Sequence, residues 1–63
     1  FTRESSLEAL VRGHDARLQA CALYAIGAER LARFVELSRL SLGLGHPLVR
    51  ETAAWSLRRL EAS

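Results

Sequence analysis

Apolar residues recur along this chain at helical spacing, and four stretches can be read from them. The first covers roughly Arg3 to Arg12, with Leu7, Leu10 and Val11 on one face. Thr2 or Ser5 is placed to cap it, and Ser5 followed by Glu8 has the capping-box spacing. Gly13-His14-Asp15 interrupts the pattern, and Asp15 is a suitable N-cap for the second stretch because its carboxylate can accept from free amides. That second stretch runs to about Ile26, with Leu18, Ala22, Ala25 and Ile26 in phase, and Gly27 is expected to end it in the left-handed conformation. The third occupies about Ala28 to Leu42. Leu31, Phe34, Val35 and Leu42 form its main stripe, Leu37 and Leu40 flank it, and Glu29 and Arg33 stand four apart as an ion pair. Gly43-Leu44-Gly45-His46 is the second break, and Pro47 suits the first turn of a fourth helix reaching about Glu61. That helix carries one apolar line of Val49, Ala53, Leu57 and Leu60, beside another of Leu48, Thr52 and Trp55.

No run alternates polar and apolar residues with β-branched enrichment. Val11, Ile26, Val35 and Val49 all fall inside helical periods, so the chain is read as all-α. Short breaks make successive helices antiparallel hairpins. A second order lies above this. Leu18, Ala22, Tyr24 and Ile26 are answered 31 positions later by Val49, Ala53, Trp55 and Leu57. Such a period is the mark of stacked helical repeats. The expectation is one unit over residues 1–63 built of two stacked hairpins, repeat one about 3–27 and repeat two about 28–61. Each hairpin alone lacks a complete core, and stacking buries a shared one.

Around Leu48-Val49-Arg50-Glu51-Thr52-Ala53-Ala54-Trp55-Ser56-Leu57 the chain resembles a HEAT repeat of the bacterial HEAT-like form, an α–α superhelix. Val49, Arg50, Ala53 and Leu57 match that family's second-helix plan. Leu18, Ala22 and Ile26 keep its apolar positions in the first copy, with Gln19 where the Arg would be. Together the two units cover nearly the whole chain. The family's turn aspartate has only Asp15 as a counterpart, and the second turn has none, which argues against a charged ladder between the repeats. Arg50 is then left to a neighbouring repeat or to helix-end carbonyls. The resemblance implies a scaffold whose second helices line a concave surface, here Arg17, Gln19, Arg50, Glu51 and Arg58, with Ala54 among them.

Size and charge narrow the functional classes. Sixty-three residues bury only about 60% of the surface their unfolded chain exposes. Cys21 is the only cysteine, so no disulfide framework compensates, and a single thiol fits a reducing, cytoplasmic setting. The chain starts at Phe1 and is expected to be a piece of a longer protein, able to self-associate through open repeat ends. Nine Arg, no Lys and seven acids give a net charge of +2, too mild to imply nucleic acid by itself. No apolar run approaches the roughly 20 residues that cross a bilayer, and no signal peptide opens the chain.

Nothing in the chain reads as a catalytic, cofactor or metal centre. His14 and His46 occupy matching turns without further ligands at a recognised spacing, and are read as turn histidines with local hydrogen bonds. Cys21 is read as a small buried hydrophobe. Glu4 and Glu8 share a solvated face, and Gly43-Leu44-Gly45 is not a phosphate loop. Tyr24 and Trp55 are assigned to the core between hairpins, with an exposed ladder as the alternative, in which Trp55 beside Arg58 would be a binding hot spot. The expected function is therefore non-catalytic protein–protein interaction or scaffolding. Its alternatives are an accessory region of an enzyme resembling phycobilin lyases or HEAT-like DNA glycosylases, and a regulatory soluble domain fused to a transporter.

Overall fold

The computed structural model describes residues 2–62 and is all-helical, with no strand among them. Four α-helices pack together: α1 (Arg3–Val11), α2 (Ala16–Ala28), α3 (Val35–Ser41) and α4 (Pro47–Glu61). A 3₁₀ turn (Ala32–Phe34) leads into α3. None of the helices is long and apolar enough to cross a membrane.

Local chemistry starts each longer helix. The Thr2 hydroxyl accepts from the Ser5 amide at 3.0 Å, so the cap of α1 is Thr2 and not Ser5. Glu8, expected to complete a box with Ser5, pairs instead with Arg12 one turn on. The Asp15 carboxylate accepts from the Arg17 and Leu18 amides at 2.9 and 3.2 Å, which fixes the start of α2. Pro47 stands in the first turn of α4, and His46 caps that helix by accepting the Leu48 amide on Nδ1 at 3.2 Å.

Two boundaries differ from the sequence reading. Helix α2 continues through Gly27, which has a helical backbone, and Arg30 takes the left-handed conformation with φ of 52°. Gly27 is required for a different reason: a Cβ there would lie 2.8 Å from both the Ser56 Cα and a Trp55 ring carbon. The stretch expected to form one helix from Ala28 to Leu42 is instead a loop, the 3₁₀ turn and the short α3. Neither Leu31 nor Phe34 supplies a side-chain cap there, and Phe34 is buried at the end of the 3₁₀ turn. With that change of phase Leu40 is 67% exposed and Leu42 lies at the surface, while Ser38 and Ser41 turn inward.

The most extensive contact is between α2 and α4; α1 lies on α2 and α3 on α4. Near one end of the first hairpin Gln19 donates to the Val11 and Gly13 carbonyls, and at the other Arg3 pairs with Glu29, so α1 and α2 are antiparallel. Helices α2 and α4 run parallel, with Tyr24 beside Trp55 and the Gly27 carbonyl beside Arg59. The core between them holds Leu23, Ile26, Val49 and Ala53, joined by Leu7, Val11, Phe34 and Leu60.

Several expected contacts are exchanged for others. Leu18, placed in the apolar stripe of α2, is 46% exposed, and Leu23, outside that stripe, is fully buried. Cys21 is exposed and not a core residue, because α2 meets its neighbours on the sides carrying Ala22, Leu23, Ile26 and Gly27. Glu29 and Arg33 do not pair with each other. Glu29 takes Arg3, and Arg33 takes Glu4 at 2.7 Å, so two ion pairs clamp the start of α1 to the loop after α2. Glu4 and Glu8, read as solvated, are both half-buried and paired.

Candidate interaction groove on α2 and α4

The parallel run of α2 and α4 brings Tyr24 and Trp55 face to face, with ring centroids 5.0 Å apart and planes 6° from parallel. Stacked rings of this kind add to the energy of burial alone. The pair is not core, however. Tyr24 is 59% exposed and Trp55 half-buried, so the stack forms part of the surface. Residues 24 and 55 lie on the outward side of their helices, where the small residues that bring the helices together (Gly27 and Ala53) cannot cover them. The cation at this stack is Arg59 and not Arg58. Its guanidinium carbon lies 5.3 Å from the Trp55 centroid, and its Nε donates to the Gly27 carbonyl at 3.1 Å. That one side chain therefore ties the aromatic pair to the end of α2.

Beside the stack runs a shallow groove of about 660 Å³, lined by Leu18, Ala20, Cys21, Tyr24, Leu48 and Thr52, with Arg17 at its rim. Leu48 is 44% exposed here. The Thr52 hydroxyl donates to the Leu48 carbonyl at 2.8 Å, so its methyl is the part left to the groove. A smaller recess of about 330 Å³ continues the surface past Tyr24 and Trp55 to Glu51. Chemically the face is an apolar strip with one guanidinium and one carboxylate near it.

The expected surface residues divide between this face and other tasks. Arg17 stands at the groove rim, and Glu51 and Trp55 line the smaller recess. Gln19 points elsewhere, into the α1–α2 turn. Arg50 donates to the Gly45 carbonyl at 2.9 Å and, more weakly, to that of Leu44, which bonds the turn before its own helix. Arg58 is exposed on the outer side of α4, with Ala54 half-buried. Leu18, Cys21, Leu48 and Arg59 were not among the expected residues. For Leu48 a signal existed, since Leu48, Thr52 and Trp55 formed the second apolar line of α4. Leu18 gave the opposite signal, because its spacing matched the core stripe.

A second groove of about 540 Å³ lies between the two interhelical turns, and His14 and His46 both line it, with Gln19, Ser41, Leu40 and Leu44. His46 is committed through Nδ1 to its capping bond. Among the described residues no three histidine, cysteine or acidic side chains gather as a metal site. The arginines are largely engaged. Arg3, Arg12, Arg33 and Arg39 are in ion pairs, and Arg50 and Arg59 bond carbonyls. Glu29 holds the Arg3 guanidinium above its ordinary pKa, first by hydrogen bonding and then by charge.

Fold and site together define a small all-α protein whose two longest helices present an exposed apolar groove. No family model, curated protein or solved structure matches the chain.

Proposed function

We propose that this chain is a non-catalytic protein-interaction module of the HEAT-like type, acting in the cytoplasm, with the α2–α4 groove as its contact surface. The observation that carries the reading is the exposure of Leu18, Tyr24 and Leu48 around one groove. Large apolar side chains gathered at a surface mark a contact site more often than scattered ones do. Tyr24 adds an aromatic anchor that the Trp55 stack already holds in place, which lowers the ordering cost of binding. The HEAT-like assignment rests on the Val49, Arg50, Ala53 and Leu57 pattern. It is supported by the way residues 31 apart, Tyr24 and Trp55, stand side by side on parallel helices. A nucleic-acid role is disfavoured because most of the arginines that would grip phosphates are engaged within the fold.

Cys21 supplies the test, since it is exposed within the groove. A photoreactive maleimide attached there should capture a protein partner from cell extract. Capture should be lost in Leu18→Glu and Leu48→Glu, with both variants folded by circular dichroism. Capture that survives both substitutions, or salt-dependent duplex DNA binding in place of protein capture, would sink the reading.

A further inference from the structure

Almost every acid of this chain is bonded within the fold. Glu4, Glu8, Glu29, Glu36 and Glu61 each hold an arginine, and Asp15 caps α2. Glu51 is the exception: it is exposed and makes no ion pair or side-chain hydrogen bond among the described residues. Its surroundings are not those of an ordinary solvated glutamate. It shares the recess of about 330 Å³ with Tyr24, Thr52 and Trp55, and no cationic side chain among the described residues lines that recess. The Thr52 hydroxyl is already given to the Leu48 carbonyl. Trp55 stacks on one face of the Tyr24 ring, and the exposure of that ring leaves the other face to solvent. An aromatic face is negative at its centre, so ring and carboxylate attract the same kind of group, a cation.

We infer that this recess receives an arginine side chain of the partner protein, while apolar side chains of the same segment lie over Leu18 and Leu48 in the adjoining groove. The inference rests on the interaction-module reading and supplies the partner's chemistry. Groove and recess share Tyr24 and Thr52, so one segment reaches both. Two arguments select a guanidinium over an ammonium. It is planar and weakly hydrated, so it can lie flat on the Tyr24 ring while its N–H groups donate to the Glu51 carboxylate. The molecule also makes the same kind of contact itself one ring away, where the Arg59 guanidinium lies over Trp55 at 5.3 Å. The net charge of +2 hides such a site, because the attraction is confined to one carboxylate and the rings beside it. Arginine anchors of this sort are among the residues that dominate binding energy at protein contacts.

Reversible tethering to Cys21, exposed in the groove, can read even weak binding. The probes are short capped peptides holding one cysteine, one leucine and an arginine a few residues from the cysteine, made in both chain directions. Each is exchanged onto Cys21 as a mixed disulfide in competition with 2-mercaptoethanol. Releasing half of the best arginine peptide should take about three- to tenfold more 2-mercaptoethanol than releasing its citrulline analogue, which keeps the shape and loses the charge. The lysine analogue should fall between them. Glu51→Gln, a substitution at an exposed position, should remove most of the arginine preference and leave release of the citrulline peptide unchanged. Tyr24→Leu, checked for folding by circular dichroism, should reduce the preference as well. Equal release of the arginine and citrulline peptides overturns the inference, and so does a preference that survives Glu51→Gln. Sedimentation velocity should find the wild-type chain monomeric. A dimer lost in both Arg17→Gln and Glu51→Gln would seat the Arg17 of a second copy in the recess and overturn the assignment to a separate partner. Tethering that needs Leu18 and Leu48 but ignores the arginine would leave the interaction-module reading standing and sink this inference alone.

Discussion

Gly27 sits where α2 passes closest to α4, and the two usual consequences of a helical glycine oppose each other there. Replacing a mid-helix glycine by alanine ordinarily stabilises by about 0.5–1 kcal/mol, through the entropy of the unfolded chain. Here the added Cβ would meet the Ser56 backbone at 2.8 Å, a contact that can be relieved only by moving a helix. Overpacking of this kind costs about 1–3 kcal/mol, so the steric effect wins and Gly27→Ala should lower the urea midpoint. An unchanged or higher midpoint would show that the helices can separate freely. Arg30 is the opposite case. Its φ of 52° strains any residue with a Cβ, and its side chain makes no hydrogen bond or ion pair among the described residues to offset that. Arg30→Gly should therefore raise the thermal midpoint, with a net gain of about 0.5 kcal/mol once the glycine's greater unfolded freedom is subtracted. A fall in the midpoint would mean that the Arg30 side chain contributes more than this strain costs.

Single helices were legible to the extent that their ends are set by local chemistry. Asp15, Pro47 and the glycine-rich breaks act within a few residues, so the starts of α2 and α4 could be read directly. The end of α2 could not, because Gly27 is chosen by contact with Ser56, 29 residues away. The same holds for the stretch before α3, where the pull on Phe34 comes from a core formed by the other helices. At the groove, apolar spacing alone could not tell Leu18 from Leu23, since either fits a helical stripe and only the position of α1 and α4 decides between them. The cap of α4 offers a prediction at this scale. His46 accepts one amide through Nδ1 at 3.2 Å. Aspartate in its place would accept the same bond and add a negative charge at the positive end of the helix dipole. His46→Asp should stabilise by about 0.5 kcal/mol, seen as a higher thermal midpoint at neutral pH. A lower midpoint would indicate that the imidazole is held by its contacts in the turn groove as well.

Across the whole molecule the four helices are not held equally. Helices α2 and α4 share the fully buried residues Leu23, Ile26, Val49 and Ala53, whereas α1 buries only Leu7 and Val11. What else holds α1 is largely electrostatic: Arg3 with Glu29 and Glu4 with Arg33, at exposed positions where salt screens the attraction. The Arg3 pairing brings no pH dependence of its own near neutrality. A raised arginine pKa contributes stability that is complete below the group's ordinary value, which lies far above neutrality, and is lost only as pH rises through the raised one. Local opening follows the weakest attachments, so amide hydrogen exchange should rank α1 as least protected of the three longer helices and α4 among the most. Raising the salt concentration should then speed exchange in α1 selectively, leaving the amides around Ala53 nearly unchanged, because Ala53 and Val49 meet Leu23 and Ile26 in the apolar core. Glu29→Gln should reproduce the effect of salt on α1 and reduce the further response to it. Uniform acceleration of all helices by salt would mean instead that α1 opens only with the whole fold, and that Leu7 and Val11 bind it as tightly as the central pair bind each other.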